Sequence, residues 1–292
     1  MERKHATLRQ STYIDYQSIV RNHLPHAWRT RPVGSITRSA AQGLISGMVA
    51  DGRAGRARKV RAVFSGCFSE AVAEGLSTRN PFTKVAIGRR HIDRGEAQAE
   101  GHMMCPAPSD VWRIAGAVPE WASPVVLVAG FAGLRWGEIV GLAADDIDLA
   151  SNEIVVRRSY SIATRQLGPP KSDSSRRKAI FSSAIRDTLA ATILRSDSDR
   201  LAFPSPSGGF IDHSMFRRRA WLPAMAELDM EGVRFHDLRH TYASTLIATG
   251  ATPPLVAAML GHSSPAVTLD VYANFWDGQR EGLADRMAAV AS

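Results

Sequence analysis

The sequence FHDLRHTYASTLIATG, residues 235–250, sets His236 and Arg239 three positions apart, so that both lie on one face of a helix with Leu238 turned toward a core. Taken singly, this spacing is as well explained by a solvated surface pair as by a site. Upstream, AGLRWGEIVGL (132–142) places Arg135 directly after an apolar helix that begins at Ser123-Pro124 and stops at Gly133. A guanidinium carried to the inner side of a helix junction needs a partner. Glu138, one turn on, offers an ion pair; a bound anion is the alternative, and the planar fork suits phosphate. Downstream, LVAAMLGHSS (255–264) sets His262 after a glycine stop, and TLDVYAN (268–274) sets Tyr272 on a separate short helix. Singly, these read as a turn histidine and a half-buried core tyrosine.

Around these segments the hydrophobic period predicts a mostly helical region interrupted by a small sheet. Ser109 caps a helix through Ala117, and Arg135 to about Leu142 forms another. Asp148-Leu149, Glu153 to Ser159 and Lys178 to Phe181 are short β-type pieces of an antiparallel sheet, with a long connector from Thr164 to Arg177. Helices resume near Ser183, His236, Pro253 and Pro265. The N-terminal third shows no strand alternation: helices are expected from Ser11 to about Leu24, Ser39 to about Asp51 and Arg56 to Gly75. The fold class is therefore mainly α, α+β, with an all-helical first domain (1–90), a polar linker (91–104) and a second, mostly helical domain with a small antiparallel sheet (105–292).

Charge separates the two parts. The chain has 292 residues, 45% of them hydrophobic, and a net charge of +8. Residues 1–100 hold 17 basic and 8 acidic side chains, whereas the remainder holds 19 and 20. A surplus confined to one third marks a polyanion-binding surface, with Arg38, Arg53, Arg56, Arg58, Lys59 and Arg61 as the candidate contacts. Disorder and a disulfide scaffold are excluded by composition, and two isolated cysteines, Cys67 and Cys105, fit a reducing, intracellular setting. The best apolar stretch, Val125 to Leu134, is about half a membrane span. There is no GxxxxGK loop, and Asp145, Asp146 and Asp148 read as a solvated turn, so no cofactor and no metal are expected.

Arg135, Lys171 in PPKSDSSRRKAI (169–180), the His236/Arg239 pair, His262 and Tyr272 occur in one order and one set of contexts. In this the chain resembles the tyrosine recombinases, the phage integrase family, over roughly residues 105–280, with a weaker similarity of the basic bundle to that family's core-site-binding domain. The resemblance implies an enzyme that cleaves and rejoins DNA through a covalent 3′-phosphotyrosine on Tyr272, without metal or ATP. By the same carry-over Arg135 and Arg239 hold the non-bridging phosphate oxygens. His236 and His262 add hydrogen bonds and take the phenolic proton, Lys171 protonates the leaving 5′ oxygen, and Glu138 orients Arg135. Preorganised cations serve such a reaction because the five-coordinate transition state carries more charge than the phosphodiester.

The implied partners are double-stranded recombination sites, further copies of the chain in a tetramer on DNA, and an accessory directionality or DNA-bending protein; no membrane is involved. The implied setting is the cytoplasm of a bacterial host. The bundle begins almost at Met1, so a phage-type integrase without an arm-binding domain is expected. A Xer-type dimer resolvase shares the chemistry and stays open, as do a type IB topoisomerase and, from another class, a DNA-binding regulator with an inactive pocket. The stripe Leu283, Met287 and Val290 packs either on its own domain or on a neighbouring protomer.

Overall fold

The computed structural model describes residues 8–87, 104–170, 173–195 and 201–277. The chain divides into two compact units, Met1–Gly101 and His102–Ser292. Lys171, nearly all of the expected linker and the C-terminal stripe from Leu283 to Val290 lie outside the described residues.

The first unit is all helical: α1 (Gln10–His23), α2 (Arg38–Ala50) and α3 (Ala54–Ala73). Thr37 caps α2 by accepting the Ala40 N–H, so the helix begins at Arg38, one residue before the expected start at Ser39. The stripe Val60, Val63, Phe64, Phe68 and Ala71 is buried, and Gly75 takes the left-handed conformation just past the end of α3. Phe82 completes this core, its ring 5.6 Å from that of Phe64 and 5.5 Å from that of Phe68.

The second unit begins with α4 (Pro108–Ala117) and α5 (Ser123–Ala132). Proline occupies the first position of α4, and the Asp110 carboxylate accepts the Ala107 N–H, so capping is by Asp110 and not by Ser109. Val111 lies so close to Gly130 that a Cβ there would meet it at 2.5 Å, which lets α4 and α5 pack closely. Short helix α6 (Trp136–Val140) follows Gly133; it is shorter than the pattern suggested because Arg135 is extended and serves as its N-cap.

The main sheet has the order β1-β2-β5, all antiparallel, from Ile147–Asp148, Glu153–Val156 and Arg177–Ile180, with Ile154 opposite Ile147 and Ala179. A second hairpin, β3 (Ser159–Ser161) with β4 (Gln166–Gly168), occupies part of what the sequence suggested was a connector. It lies on α6, where a Cβ on Gly137 would fall 2.5 Å from the Tyr160 carbonyl oxygen. After α7 (Arg186–Leu194), a helical run that periodicity did not reveal comprises α8 (His213–Phe216), a π-helical segment (Arg217–Trp221) and α9 (Leu222–Glu227). Three successive arginines and Pro223 hide its pattern, yet it supplies Phe216 and Trp221 to the core. The last helices are α10 (Leu238–Ala248), α11 (Pro253–Leu260) and α12 (Pro265–Asp277). Among the described residues no helix is long and apolar enough to cross a membrane.

Gly133 joins the halves of this unit. Its φ of +66° is left-handed, and a Cβ would sit 2.2 Å from Cδ1 of buried Tyr242 on α10. Gly133→Ala combines a backbone penalty with overpacking and should cost roughly 2–4 kcal/mol in urea unfolding at neutral pH.

Candidate active site

An aromatic cluster brings the motif segments together. Trp136, next to Arg135, lies 5.2 Å ring to ring from Phe235, next to His236, and both pack on Phe216, at 4.7 Å and 5.2 Å. The turn carrying His236 is further held by Asp237, fully buried, which accepts the Arg234 N–H at 2.9 Å and an Arg234 guanidinium hydrogen bond at 2.7 Å.

Glu138 lies at the centre of the site. Its Oε2 accepts the Arg135 backbone N–H and its Oε1 the Arg135 Nη1, both at 2.9 Å. From β5, Arg177 grips the same carboxylate with Nη1 and Nη2 at 3.1 and 3.0 Å. Burial works to raise the Glu138 carboxyl, but the charge and hydrogen bonds of Arg177, joined by those of Arg135, hold it below its ordinary value. Arg177 also donates through Nε to the Met259 carbonyl at 2.7 Å and through Nη1 to the Ser175 carbonyl at 3.2 Å.

Donor arithmetic separates the three arginines, since a guanidinium has five N–H groups. Arg177 commits four donor contacts to Glu138, Met259 and Ser175 and its side chain is 6% exposed, so it is a positioning residue. Arg239, on α10 and 3% exposed, gives one Nη bond to the Gly133 carbonyl and one to the Leu260 carbonyl, which leaves three donors unassigned among the described residues. Arg135 makes three donor contacts with its guanidinium, to Glu138, the Ser175 hydroxyl and the Gly261 carbonyl, which leaves two of its five N–H groups unassigned among the described residues, and its side chain is 36% exposed. Arg135 and Arg239 thus keep capacity for an anion. Burial, then the charges of Arg135 and Arg177, push Arg239 down to about 9, so it stays charged at neutral pH.

The remaining groups close around them. Burial and the charge of Arg239 lower His236. His262 has its Nδ1 on the Thr268 hydroxyl at 2.8 Å, and burial followed by the charge of Arg239 sends it to about 4. Tyr272 is 1% exposed, and its hydroxyl lies 2.5 Å from Nδ1 of His240. Burial raises the Tyr272 phenol well above its ordinary value, opposed by the charge of Arg239. Tyr242 packs in the core, its hydroxyl donating to the Ile180 carbonyl at 2.6 Å. Asp146 is spent structurally, accepting the Ala143 N–H at 3.0 Å and Arg158 at 2.9 Å.

The structure therefore gathers Arg135, Glu138, His236, Arg239, His262 and Tyr272. Sequence reading passed over two residues that the geometry adds, Arg177 and His240. The only local signal for either was position: an arginine opening a strand within the Lys171 segment, and a histidine directly after Arg239.

In the first unit, Arg53 and Arg56 come together near His23, with Arg56 Nε 3.1 Å from its Nε2. Lys59 is paired to Asp15 at 2.7 Å and Arg53 to Asp51. Arg38 is held at the far end of α2 on the Lys84 carbonyl at 3.0 Å. Arg58 is exposed and Arg61 half-buried on α3.

The model of the "Phage integrase family" matches residues 113–277. The chain belongs to that family, the tyrosine recombinases. It is 23% identical to the tyrosine recombinase XerC-like protein of Caldanaerobacter subterraneus subsp. tengcongensis, over 95% of this chain and 77% of that one. It is 27% identical to the integrase of Enterobacteria phage 434, over 48% of this chain and only 37% of the relative's length. Among solved structures, the Tn1549 transposon integrase in complex with a circular intermediate DNA superposes with a TM-score of 0.72 at 17% identity, covering 92% of this chain and 90% of that one. A lambda integrase tetramer bound to a Holliday junction gives 0.65 at 20% identity, covering 90% and 75%.

The Glu138 cluster makes a pH prediction. With its folded value depressed, its contribution is complete above the ordinary value of 4.5 and is lost as pH falls through the folded one. Glu138→Gln should cost about 3 kcal/mol at pH 7, because buried Arg177 loses its counter-charge. In urea unfolding across the acid range, the gap between variant and native protein should narrow as the native carboxylate protonates.

Proposed function

We propose that the protein is a site-specific DNA recombinase that cleaves one strand at a time by attack of Tyr272 on a backbone phosphodiester. The observation that carries this reading is the convergence of two arginines with spare donors, Arg135 and Arg239, beside a buried tyrosine hydroxyl. In the reaction, Arg135 and Arg239 take the two non-bridging oxygens, and His236 and His262 supplement them. The Tyr272 oxygen bonds to phosphorus, the bond to the 5′ oxygen breaks, and Lys171 supplies a proton to that leaving oxygen. The 3′-phosphotyrosine keeps the energy of the broken phosphodiester, so a free 5′-hydroxyl can reverse the step on the same or a partner strand. Neither nucleotide hydrolysis nor a resident metal is needed when guanidiniums carry the electrostatic load.

Strand exchange requires two sites, and we assign the functional assembly as a tetramer on DNA, with accessory bending or directionality proteins acting outside this chain. The bacterial cytoplasm is the place where such DNA is met. Integration is the favoured outcome; the wide coverage of the XerC-like relative supports resolution of DNA dimers as a second reading, and a two-site strand-exchange assay separates them by product. The first unit, proposed as residues 1–90 followed by a linker to 104, supplies phosphate contacts from its basic side chains, foremost Arg58 and Arg61 on α3.

Nicked duplexes with randomised cores provide a substrate whatever the target sequence: attack beside the nick releases a short fragment and traps the adduct, which survives denaturing electrophoresis. Native protein should capture a sequence subset. Tyr272→Phe should bind the captured duplex with unchanged affinity and yield no adduct; an adduct in that variant would overturn the assignment. Arg58→Ala with Arg61→Ala should weaken binding across sequences and reduce the salt slope by about one unit for each phosphate no longer neutralised, read by titration at several ionic strengths.

A further inference from the structure

Three histidines surround the nucleophile, and the geometry gives them different tasks. His262 has its Nδ1 committed to Thr268, and both it and His236 feel the charge of Arg239 and Arg135. His240 alone among them is placed on the phenol, with Nδ1 2.5 Å from the Tyr272 hydroxyl. It lies on α10 directly after Arg239, so one helical turn aims a cation at the phosphate and an imidazole at the attacking oxygen.

Resting on the recombinase reading above, we propose that His240 is the proton acceptor for Tyr272. In the forward step the phenol O–H donates to the neutral imidazole at Nδ1, the Tyr272 oxygen bonds to phosphorus, and the 5′ oxygen leaves with a proton from Lys171. His240 becomes an imidazolium carrying protons on both nitrogens. In the reverse step it returns the proton to the departing Tyr272 oxygen, and the 5′ hydroxyl proton goes back to Lys171.

The surroundings fit a base that is always ready and an acid that is strong. The charged and titratable groups facing His240 are His236, whose ring lies 5.6 Å away, Asp237, Arg239 and Arg234 from its own turn and helix, Tyr272 from α12 and His262 from the turn before it. Burial, then His236, depresses His240 to about 4, with Asp237 opposing them. It is therefore neutral at pH 7. Such an imidazole does not ionise the phenol at rest, and Tyr272 is itself held above its ordinary value by burial. The proton moves only as the P–O bond forms and the phenolic oxygen becomes acidic, which confines nucleophile activation to the transition state. The resulting imidazolium, with the same low value, is a good donor for religation.

The test measures adduct formation on the captured nicked duplex by full-length protein. His240→Asn keeps a polar group near the Nδ1 position but no base; His240→Ala leaves space for added imidazole. Asn should slow adduct formation about 100-fold or more while DNA binding and the melting temperature hold, and its rate should rise about tenfold per pH unit as hydroxide replaces the missing base. Native protein should show a flat profile over roughly pH 6 to 8. Imidazole should restore the Ala variant in proportion to its concentration. An Asn variant as fast as native protein, or faster, overturns the proposal, because the bond then only positions or sequesters Tyr272. A loss that shows neither the pH slope nor imidazole rescue also overturns it. Failure of the native protein to form any adduct would instead strike the recombinase reading itself, so the two failures are distinct.

Discussion

Like charges must be held together at close range for this site to exist, and one buried carboxylate makes that possible. Burial, joined by the charges of Arg135 and Arg177, pushes Arg239 down to about 9. Glu138 binds two of the three directly and offsets part of their repulsion. Three guanidiniums against one carboxylate leave a surplus of two positive charges. On the proposed reaction, that surplus exceeds the single charge of a phosphodiester and matches the two of a pentacoordinate phosphorus, so the pocket's fixed charge would favour the transition state over the ground state.

The remaining neutralisation comes from the ends of helices. The last carbonyls of an α-helix lack intrahelical partners and carry the negative pole of its dipole. Here Gly133 at the end of α5, and Met259, Leu260 and Gly261 at the end of α11, supply their carbonyls to Arg239, Arg177, Arg239 and Arg135 respectively. Both helices stop at a glycine in the left-handed conformation. At Gly261 a Cβ would lie 3.0 Å from the Arg177 guanidinium, so a larger residue would displace the arginine that the turn receives. The helix stops and the anion pocket are thus one construction.

This explains what could be read along the chain. Helix periodicity, glycine stops and proline starts are local, and they located α5, α10, α11 and α12 within a few residues. Arg135 was marked by its place just after the Gly133 stop, whereas His236, Arg239, His262 and Tyr272 stood out only through the joint resemblance to the tyrosine recombinases, each being as well explained alone by a surface or core role. Arg177 and His240 were not legible, since their significance arises from contacts with Glu138, 39 positions away, and Tyr272, 32 positions away. The run from His213 to Glu227 was missed for a related reason: its apolar residues pack on Trp136 and Phe235, while its arginine run and Pro223 obscure the period. The basic first unit shows what charge counting leaves out. Charge placement put Arg56, Arg58, Lys59 and Arg61 first, with Arg38 and Arg53 nearby in sequence; the fold pairs Lys59 and Arg53 with carboxylates and leaves Arg58 exposed.

Burial of Tyr272, the proposed nucleophile, belongs to the same architecture. Positive charge close to a phenol favours its ionised form. Placing Tyr272 in the core raises its proton affinity, and the hydrogen bond to His240 satisfies the hydroxyl that burial would otherwise leave unpaired. Activation then depends on an event at the neighbouring arginines. On the proposed reaction, a phosphate held by their spare donors would present its phosphorus to the phenolic oxygen, and the developing bond would supply the acidity that the environment withholds. Under that reading reactivity is coupled to occupancy of the pocket, while burial keeps the Tyr272 phenol protonated in the free protein.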